Sequence, residues 1–480
     1  MPNIIDLGSA SGNAYDLVII GSGFGSSFYL HRLLNSGAHS NILVLEWGKH
    51  RPHDWQIEQD RHSDIPAHKT FVSKSSKPWN FTVGLGGGTN CWFAQTPRFH
   101  PSDFKLRSKY GVGMDWPFGY DELEPYYAAA EEIMSISGDD RMGKILPRST
   151  PFPQPPHLFT TPDKLMAAAQ PDQHFPMPTA RARVATERRP GCCASFRCTL
   201  CPVDAKFTLN NGLIELYDND AVKLALDAKV VRLETRGNVV VAAIVETGGK
   251  EVRVSGDRFV LGANAIHSPA ILHRSDMADE LTGAGLHETY GCDVEVFLDG
   301  VDNFDGSTIT SGLNYGLYDG DHRRTAGAAL VYFDNRWTHG LRATPGKWRQ
   351  TLPLMIVIEE AVEDHNKVTV DSAGEAVVTY AGPSDYARRG QERALAELPR
   401  LLDPLPVEEI SFRSQRATES HLQGTLRMGK DPRTSVIDEK MVHHRWRNLT
   451  VVGTSSFPTC GIANPSLTAA ALSLRAASLI

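Results

Sequence analysis

Residues 16–37 read DLVIIGSGFGSSFYLHRLLNSG, and this segment is the strongest indication of the fold class. It opens with a short apolar run, typical of a parallel strand buried on both faces. The glycine-rich turn GSGFGS follows, and then a helical spacing of apolar residues that ends at Gly37. A second apolar strand, NILVLEWG, occupies residues 41–48. A strand, a turn, a helix and a strand within about 30 residues predict a βαβ crossover unit.

Two later stretches repeat this order of elements. Residues 257–275, DRFVLGANAIHSPAILHRS, pass from a strand through small residues into a helix. Residues 448–480 begin with the strand NLTVVG and end with an Ala-rich helix. We therefore expect the N-terminal, middle and C-terminal segments to build one parallel sheet in an α/β protein.

The composition indicates a protein of enzyme size. A formal charge of −7 over 480 residues argues against nucleic acid or an anionic membrane as a partner. The sequence has no apolar run of about 18 residues, so it predicts no membrane span. The opening MPNIIDLGSASGNAYD lacks the regions of a secretory signal, and seven cysteines are an odd number for a disulfide framework. We expect a cytoplasmic location. Export of the folded chain together with a partner that carries a signal is the alternative.

The glycine-rich turn has the features of a dinucleotide-binding site. Gly21, Gly23 and Gly25 lie between the strand and the helix; Gly21 permits a tight turn, and Gly23 lets a pyrophosphate approach the backbone at the helix N-terminus. Glu46 follows the second strand, where a carboxylate can bind a ribose diol. The third glycine of the pattern is replaced by Ser26, so helix and strand should pack less closely there. The alternative is an ordinary turn between a strand and a helix, and the turn alone does not separate FAD from NAD.

Three further stretches are VGLGGGTNCWFAQTPRFHPSDF (83–104), YGVGMDWPFGYDELEPYYAAAEE (110–132) and the tail from SHLQGTLRMG (420–429) to FPTCGIANPSLT (457–468). With the first turn, they resemble the glucose–methanol–choline (GMC) family of flavin oxidoreductases over nearly the whole chain. The resemblance implies a Rossmann-type FAD-binding domain with an inserted antiparallel-sheet substrate domain. We expect the FAD-binding domain at 12–292 (discontinuous) with 416–480, and the substrate-binding domain at 293–415. Residues 140–200 are expected to form an extended Pro- and Cys-rich excursion.

The resemblance also implies which residues bind FAD besides those of the first turn. Thr89 and Asn90 would lie beside the flavin, and Val230 would touch the adenine. Asn264 stands in the second nucleotide contact, where glycine is common. Cys91 matches a position that carries a covalent flavin link in some related sugar oxidases, although a small buried residue is the alternative. The remaining residues expected at the cofactor are Gly87, Pro465 and Thr468.

The resemblance assigns the chemical step to His421 and Asn464, in the segments H-x-x-G-T-x-x-M-G and A-N-P. A neutral imidazole at His421 can accept the proton of an alcohol near pH 7. The amide of Asn464 can orient the substrate and stabilise developing negative charge on its oxygen. Asn464, followed by Pro465 and the final helix, is also typical of a helix N-cap, and the two roles are compatible.

Four cysteines are packed into GCCASFRCTLCP, residues 191–202. Their spacing does not suit zinc, whereas clustered thiolates suit an iron–sulfur centre. The segment resembles the loop that holds a [3Fe-4S] cluster in bacterial FAD-dependent sugar dehydrogenases. The matching ligands are Cys192, Cys193 and Cys198, and Cys201 is an additional cysteine. Structural thiols with no cluster are the alternative.

The resemblance implies oxidation of a secondary alcohol on a sugar, glycoside or polyol, with hydride transfer to flavin N5. With a cluster, the enzyme is a dehydrogenase whose electrons go to an external acceptor, such as a small partner subunit or a cytochrome. Without a cluster, an oxidase that produces hydrogen peroxide fits equally well. A lyase that retains FAD only structurally is a third alternative.

Overall fold

A computed structural model describes residues 2–10, 12–37, 41–335 and 346–479. Residues 38–40, 336–345 and 480, which fall within the expected domain ranges, lie outside the described residues. In chain order the strands are β1 (Ala14–Ile20), β2 (Ile42–Leu45), β3 (Val72–Ser73), β4 (His174–Pro176), β5 (Val222–Ala225), β6 (Lys229–Arg236), β7 (Val239–Thr247), β8 (Lys250–Leu261), β9 (Tyr290–Leu298), β10 (Thr310–Asn314), β11 (Ala329–Asp334), β12 (Thr351–Ile358), β13 (Lys367–Val370), β14 (Ala376–Thr379), β15 (Val407–Gln415) and β16 (Leu449–Val451).

Most of the α-helices lie in the first half of the chain. They are α1 (Leu7–Ala10), α2 (Phe24–Ser36), α3 (His53–Glu58), α4 (Leu106–Tyr110), α5 (Tyr120–Met134), α6 (Thr161–Ala169), α7 (Leu209–Gly212), α8 (Asn264–Arg274), α9 (Asp385–Leu401) and α10 (Ser466–Ser478). Among the described residues, no helix is long and apolar enough to cross a membrane.

The predicted βαβ unit is confirmed at residue level. β1 pairs in parallel with β2, and α2 connects them and ends at Gly37 with a φ of 68°. This left-handed conformation suits glycine, which has no Cβ to clash. The apolar residues of β1 from Leu17 onward and all four of β2 lie at or near zero exposure, as expected for strands covered on both faces.

The first sheet has the order β5-β2-β1-β8-β7-β6, and β16 also pairs with β8. One edge of β8 pairs with β1, while the other pairs with β7 near its start and with β16 at its end. The pairings among β5, β2, β1, β8 and β16 are parallel, as expected from the three strand–turn–helix stretches. On this sheet α10 packs against α2 and α5.

A second, antiparallel sheet has the order β15-β9-β12-β11-β10-β4 and packs against α9. This is the sheet that the predicted α/β class with an inserted antiparallel sheet requires. The stretch expected to be extended, 140–200, contributes α6 and the edge strand β4. A third small sheet, β13-β14-β3, packs against α8, the helix that follows β8 of the first sheet. The domain limits given above stay a prediction.

Candidate active site

A cavity of about 1140 Å³ is lined by residues from both large sheets and the loops between them. Its walls include the turn after β1, the segment 61–83, the loop 91–95 and the start of α10. Ligand pockets usually measure about 300–1,000 Å³, so this cavity has room for a dinucleotide cofactor together with a small substrate. Its residues are therefore the candidates for both.

The glycine-rich turn presents an open helix end to this cavity. Gly21 has a φ of 88°, and a Cβ there would lie 2.7 Å from the carbonyl oxygen of Gly262. Gly23 is the N-cap of α2, and no described side chain caps the helix. No described atom lies within 4 Å of the position that a Cβ on Gly23 would take. The first N–H groups of α2 and the space beside Gly23 are thus available to a pyrophosphate.

The replacement of the third glycine by Ser26 is compensated on the facing strand. A Cβ on Gly262, just after β8, would lie 2.2 Å from the Ser26 hydroxyl oxygen. The missing side chain at Gly262 therefore accommodates Ser26, and the helix does not need to move away. The helix also lies against backbone at Gly25, where a Cβ would lie 2.6 Å from the backbone nitrogen of Gly453. Sequence reasoning missed this exchange because Gly262 lies far away in the chain.

Glu46 is buried beside the same turn and is held in place by three hydrogen bonds. Its Oε2 accepts from the backbone N–H of Ser22 at 3.1 Å and from the Ser22 hydroxyl at 2.6 Å. Its Oε1 accepts from the N–H of Gly48 at 2.9 Å. Burial raises the pKa of the Glu46 carboxyl group, and these donors oppose that rise. The open helix end, the gap at Gly23 and this carboxylate together fit the phosphate and ribose groups of FAD.

His421 lines the same cavity and is held on both ring nitrogens. Its Nδ1 lies 3.0 Å from the Thr289 hydroxyl oxygen, and its Nε2 lies 3.1 Å from Nδ2 of Asn464. Because an amide nitrogen can only donate, this network assigns the lone pair to Nε2 and the proton to Nδ1. The ring nitrogen that faces Asn464 is therefore the one able to accept a proton.

The orientation of the Asn464 amide is fixed by the second sheet. The hydroxyl of Tyr332, on β11, donates to Oδ1 of Asn464 at 3.1 Å. This bond turns Nδ2 towards His421 and, at 3.4 Å, towards Oε1 of Gln95. Asn464 precedes α10 as predicted, but its side chain faces the cavity and does not cap the helix. Tyr332 was missed in the sequence because a single tyrosine in an apolar strand gives no signal.

The surroundings of His421 keep its ring neutral. Burial, reinforced by the charges of Arg416 and Lys77, lowers the pKa of His421 to about 3. Lys77 is paired with the buried carboxylate of Glu288. The same carboxylate accepts from the backbone N–H of His421 at 3.1 Å and from that of Glu419 at 3.2 Å. Glu288 thus holds the backbone that carries His421.

The cavity brings together most of the predicted site residues. Those on its wall are Gly21, Gly23, Gly25, Glu46, Gly87, Cys91, Val230, Asn264, His421, Asn464 and Pro465. Ser26, Thr89, Asn90 and Thr468 are buried and do not line it. Thr89, for example, donates to the carbonyl oxygen of Gly86 at 2.8 Å and supports the glycine-rich loop from behind. The roles assigned to all of these residues stay predictions.

The arrangement of the four clustered cysteines does not support the expected [3Fe-4S] cluster. Within residues 2–10, 12–37, 41–335 and 346–479, no group of three His, Cys, Asp or Glu side chains is placed to hold a metal ion. Cys193 is exposed, whereas Cys198 is buried and accepts a hydrogen bond from Nη1 of Arg181 at 2.8 Å. Between them Ala194 and Phe196 have φ angles of 51° and 61°, which turn the loop so that these two thiols have different surroundings. Cys192 is partly buried and Cys201 is buried, and both are free thiols.

Lys206 ties this cysteine loop to the cavity wall. Its ammonium group donates to the carbonyl oxygens of Asn90 and Thr199, each at 2.6 Å, and to that of Trp92 at 3.2 Å. Burial lowers the pKa of Lys206 to about 8. Lys206 therefore joins two loops, a role that the sequence alone did not indicate.

The sequence of the C-terminal part matches a known family. Residues 362–473, which include His421 and Asn464, match the GMC oxidoreductase family. This part of the chain is similar to the GMC oxidoreductases. This match and the relatives described next support an FAD-dependent oxidoreductase that acts on alcohols or sugars, and they confirm the resemblance read from the sequence.

Relatives of this oxidoreductase align along almost its whole length. The fructose dehydrogenase large subunit of Gluconobacter japonicus is 27% identical, over 97% of this chain and 97% of that protein. Paromamine 6'-oxidase of Streptomyces fradiae is also 27% identical, over 97% of this chain and 91% of the relative. Each of these names describes an enzyme that oxidises a sugar or an aminoglycoside.

Solved structures show the same fold. Pyridoxine 4-oxidase from Mesorbium loti superposes with a TM-score of 0.66 at 18% identity, over 97% of this oxidoreductase and 99% of that chain. A formate oxidase superposes with a TM-score of 0.69 at 16% identity, over 98% of each chain. The predicted fold class is thereby confirmed.

Proposed function

We propose that this enzyme oxidises a secondary alcohol of a sugar, glycoside or polyol and passes the electrons to an external acceptor. The observation that carries the proposal is the His421–Asn464 pair in the same cavity as the dinucleotide-type turn. The sugar and aminoglycoside enzymes among its full-length relatives support this substrate class.

In the proposed reaction the substrate hydroxyl enters between His421 and Asn464. Its proton goes to Nε2 of His421, while Nδ2 of Asn464 donates to its oxygen and stabilises the developing negative charge. Bound FAD would accept the hydride that leaves the carbon carrying this hydroxyl. Because the pKa of His421 is lowered to about 3, the protonated ring would readily return its proton to a free alkoxide, so an alkoxide would form only at high cost before the hydride leaves. We therefore expect proton transfer and hydride loss to be closely coupled in time.

The position of the Nδ1 proton matters for this step. As Nε2 takes up the substrate proton, the ring becomes cationic, and the Thr289 hydroxyl 3.0 Å from Nδ1 accepts a stronger hydrogen bond. Arg416 and Lys77 oppose the cation, which favours release of the proton once the product has formed.

The acceptor is proposed to be a protein partner. The relative from Gluconobacter japonicus is named a large subunit, which implies a further subunit in that enzyme. We extend this expectation to the present chain and propose an electron-accepting partner such as a small subunit or a cytochrome. An oxidase that reduces dioxygen is the second candidate, because full-length relatives carry that name.

The first experiment is anaerobic mixing of the FAD-loaded protein with a panel of sugars, polyols and simple alcohols, with flavin bleaching as the readout. We expect polyhydroxylated secondary alcohols to bleach the flavin, and His421→Ala to bind FAD yet lose at least about 1,000-fold in the reduction rate. Near-normal reduction of that variant would remove His421 from the mechanism. Absence of bleaching by every alcohol would favour the lyase alternative.

Two further measurements identify the acceptor. Hydrogen peroxide formed in step with product in air would favour the oxidase, whereas turnover only with an artificial acceptor would favour the dehydrogenase. Iron and acid-labile sulfide are measured separately on anaerobically purified protein. The placement of the cysteines leads us to expect flavin absorption bands without a broad iron–sulfur shoulder, and about three irons per chain would contradict this.

A further inference from the structure

The charged side chains near His421 pair with one another. Arg416 donates to Asp293 at 3.0 Å and to Glu419 at 2.6 Å. Lys77 is paired with Glu288. The two cations that act on His421 are therefore each neutralised by a partner, and this part of the cavity is better suited to an uncharged ligand than to a free carboxylate or ammonium group.

A neutral polar pair, Gln95 and Thr310, lies next to the catalytic amide. Both residues line the cavity, although they are only 7% and 1% exposed. Nε2 of Gln95 donates to the Thr310 hydroxyl oxygen at 2.7 Å, and Oε1 of Gln95 lies 3.4 Å from Nδ2 of Asn464. A long hydrogen bond thus connects this pair to Nδ2 of Asn464, the group proposed to bind the reacting oxygen.

Both residues stand on backbone that other strands fix. Backbone hydrogen bonds on both sides of Gln95 tie it to residues 178–180. Thr310 begins β10, and the pairing of β10 with β11 shifts register between Thr310 and Gly312. Irregularities of this kind redirect a side chain and are frequent beside active sites. The pair is therefore positioned before any ligand arrives.

The pair retains hydrogen-bonding capacity. Among the hydrogen bonds of the described residues, the Thr310 hydroxyl only accepts, and one N–H of the Gln95 amide donates. The Thr310 O–H, the second amide N–H and part of the Gln95 carbonyl remain for a ligand. This combination of donors and acceptors matches a hydroxyl group, which itself donates one bond and accepts others.

We propose that Gln95 and Thr310 form a subsite for a second hydroxyl, on the carbon next to the one that is oxidised. Two oxygens on adjacent carbons are about one hydrogen-bond length apart, which is also the spacing between Asn464 and Gln95. The substrate is then a vicinal diol, the unit that sugars and polyols share and simple alcohols lack. This inference rests on the proposed function and specifies its substrate.

The test compares trans-1,2-cyclohexanediol with cyclohexanol, and 1,5-anhydroglucitol with tetrahydropyran-4-ol, as reductants of the anaerobic FAD-loaded enzyme. A site built to bind a hydroxyl discriminates strongly against an analogue without it. We expect each diol to reduce the flavin at least about 100-fold more efficiently than its mono-alcohol. Gln95→Leu and Thr310→Val should each reduce this preference at least about 10-fold, mainly by slowing the reduction of the flavin by the diol.

A matched control is Thr308→Val, because Thr308 is equally buried and close in sequence but does not line the cavity. It should keep the full preference for the diol. Equal efficiency of diol and mono-alcohol in the unmodified enzyme, or an unchanged preference in both subsite variants, would overturn the proposal while leaving the proposed function intact. No flavin reduction by any alcohol would instead overturn the proposed function, and the subsite with it.

Discussion

A hydrogen bond between Tyr332 and Asn464 joins the two large sheets beside His421. The Tyr332 hydroxyl, on a strand of the antiparallel sheet, donates to Oδ1 of Asn464, which precedes the last helix on the first sheet. This single bond decides which end of the amide faces His421. Under the proposed function, the geometry of the His421–Asn464 pair therefore depends on Tyr332, which is neither the base nor the donor to the substrate oxygen.

Replacing Tyr332 by Phe should loosen the Asn464 amide and let its oxygen turn towards Nε2 of His421. We expect normal FAD binding and folding, and flavin reduction slowed by about 10- to 100-fold, which is about 1.4–2.7 kcal/mol in activation free energy. Stopped-flow anaerobic reduction measures this rate, and the imidazole ¹⁵N shifts report the tautomer. The matched control is Tyr315→Phe, because among the described residues the buried Tyr315 hydroxyl has no hydrogen-bond partner. Equal rates in the two variants would contradict the positioning role.

The two glycines at the start of α2 should separate folding from cofactor binding. A Cβ on Gly25 would lie 2.6 Å from backbone of Gly453, so Gly25→Ala should destabilise the apoprotein by about 1–3 kcal/mol. Gly23 has a φ of −73° and open space around its Cβ position, so Gly23→Ala should fold normally. Its new methyl group would occupy the path of the pyrophosphate and abolish FAD retention. Urea unfolding of the apoproteins and FAD titration measure the two effects, and the reverse pattern would refute the assignment.

Glu46 should determine cofactor affinity through its charge. Glu46→Gln keeps the size of the side chain but replaces one acceptor oxygen with a donor that faces Ser22 or Gly48. We expect a Kd for FAD raised by about 10- to 100-fold, because one hydrogen bond to a charged group contributes about 1.5–3 kcal/mol. Quenching of flavin fluorescence on titration of the apoprotein measures the Kd. An unchanged Kd would show that the ribose binds elsewhere.

The protein should lose stability as the pH falls below about 6.5. Burial lowers the pKa of several histidines, to about 3 in His267 and His421 and to about 4 in His62, His157, His287, His322 and His443. Between these values and the ordinary 6.5, the unfolded chain binds protons that the folded chain does not, so stability rises with pH in that window. Glu360 and Glu419, with pKa values raised to about 7, act in the opposite direction above about pH 4.5, but they are fewer.

Thermal melting of the apoprotein at pH values from 7.5 down to 4.5 tests this balance. The melting temperature should fall steadily below pH 6.5. His267→Gln removes one of these buried rings and should flatten the slope. A melting temperature that rises on acidification would mean that the buried carboxylates dominate.

The local elements were predictable because their signals are local. The strand, turn and helix around Gly21 follow from apolar runs and glycines within a short stretch, and the structure confirms them. The effect of Ser26 was not predictable, since the compensating Gly262 lies on another strand. His421 and Asn464 were identified through their motifs. Tyr332 and Gln95 could not be, because only the folded structure brings them next to Asn464. The cysteine loop shows the limit of motif reading, because its spacing matched a cluster that the side-chain placement does not support.

The position of β8 has a consequence for biosynthesis. Its C-terminal half lies between β1, from the start of the chain, and β16, which follows more than 180 residues after β8 ends. The loop after β16 also carries Gly453, which covers the start of α2 at Gly25. A nascent chain on the ribosome therefore exposes an unfinished sheet edge and an uncovered turn until its last segment emerges. We therefore expect flavin capture to follow translation of residues 449–453.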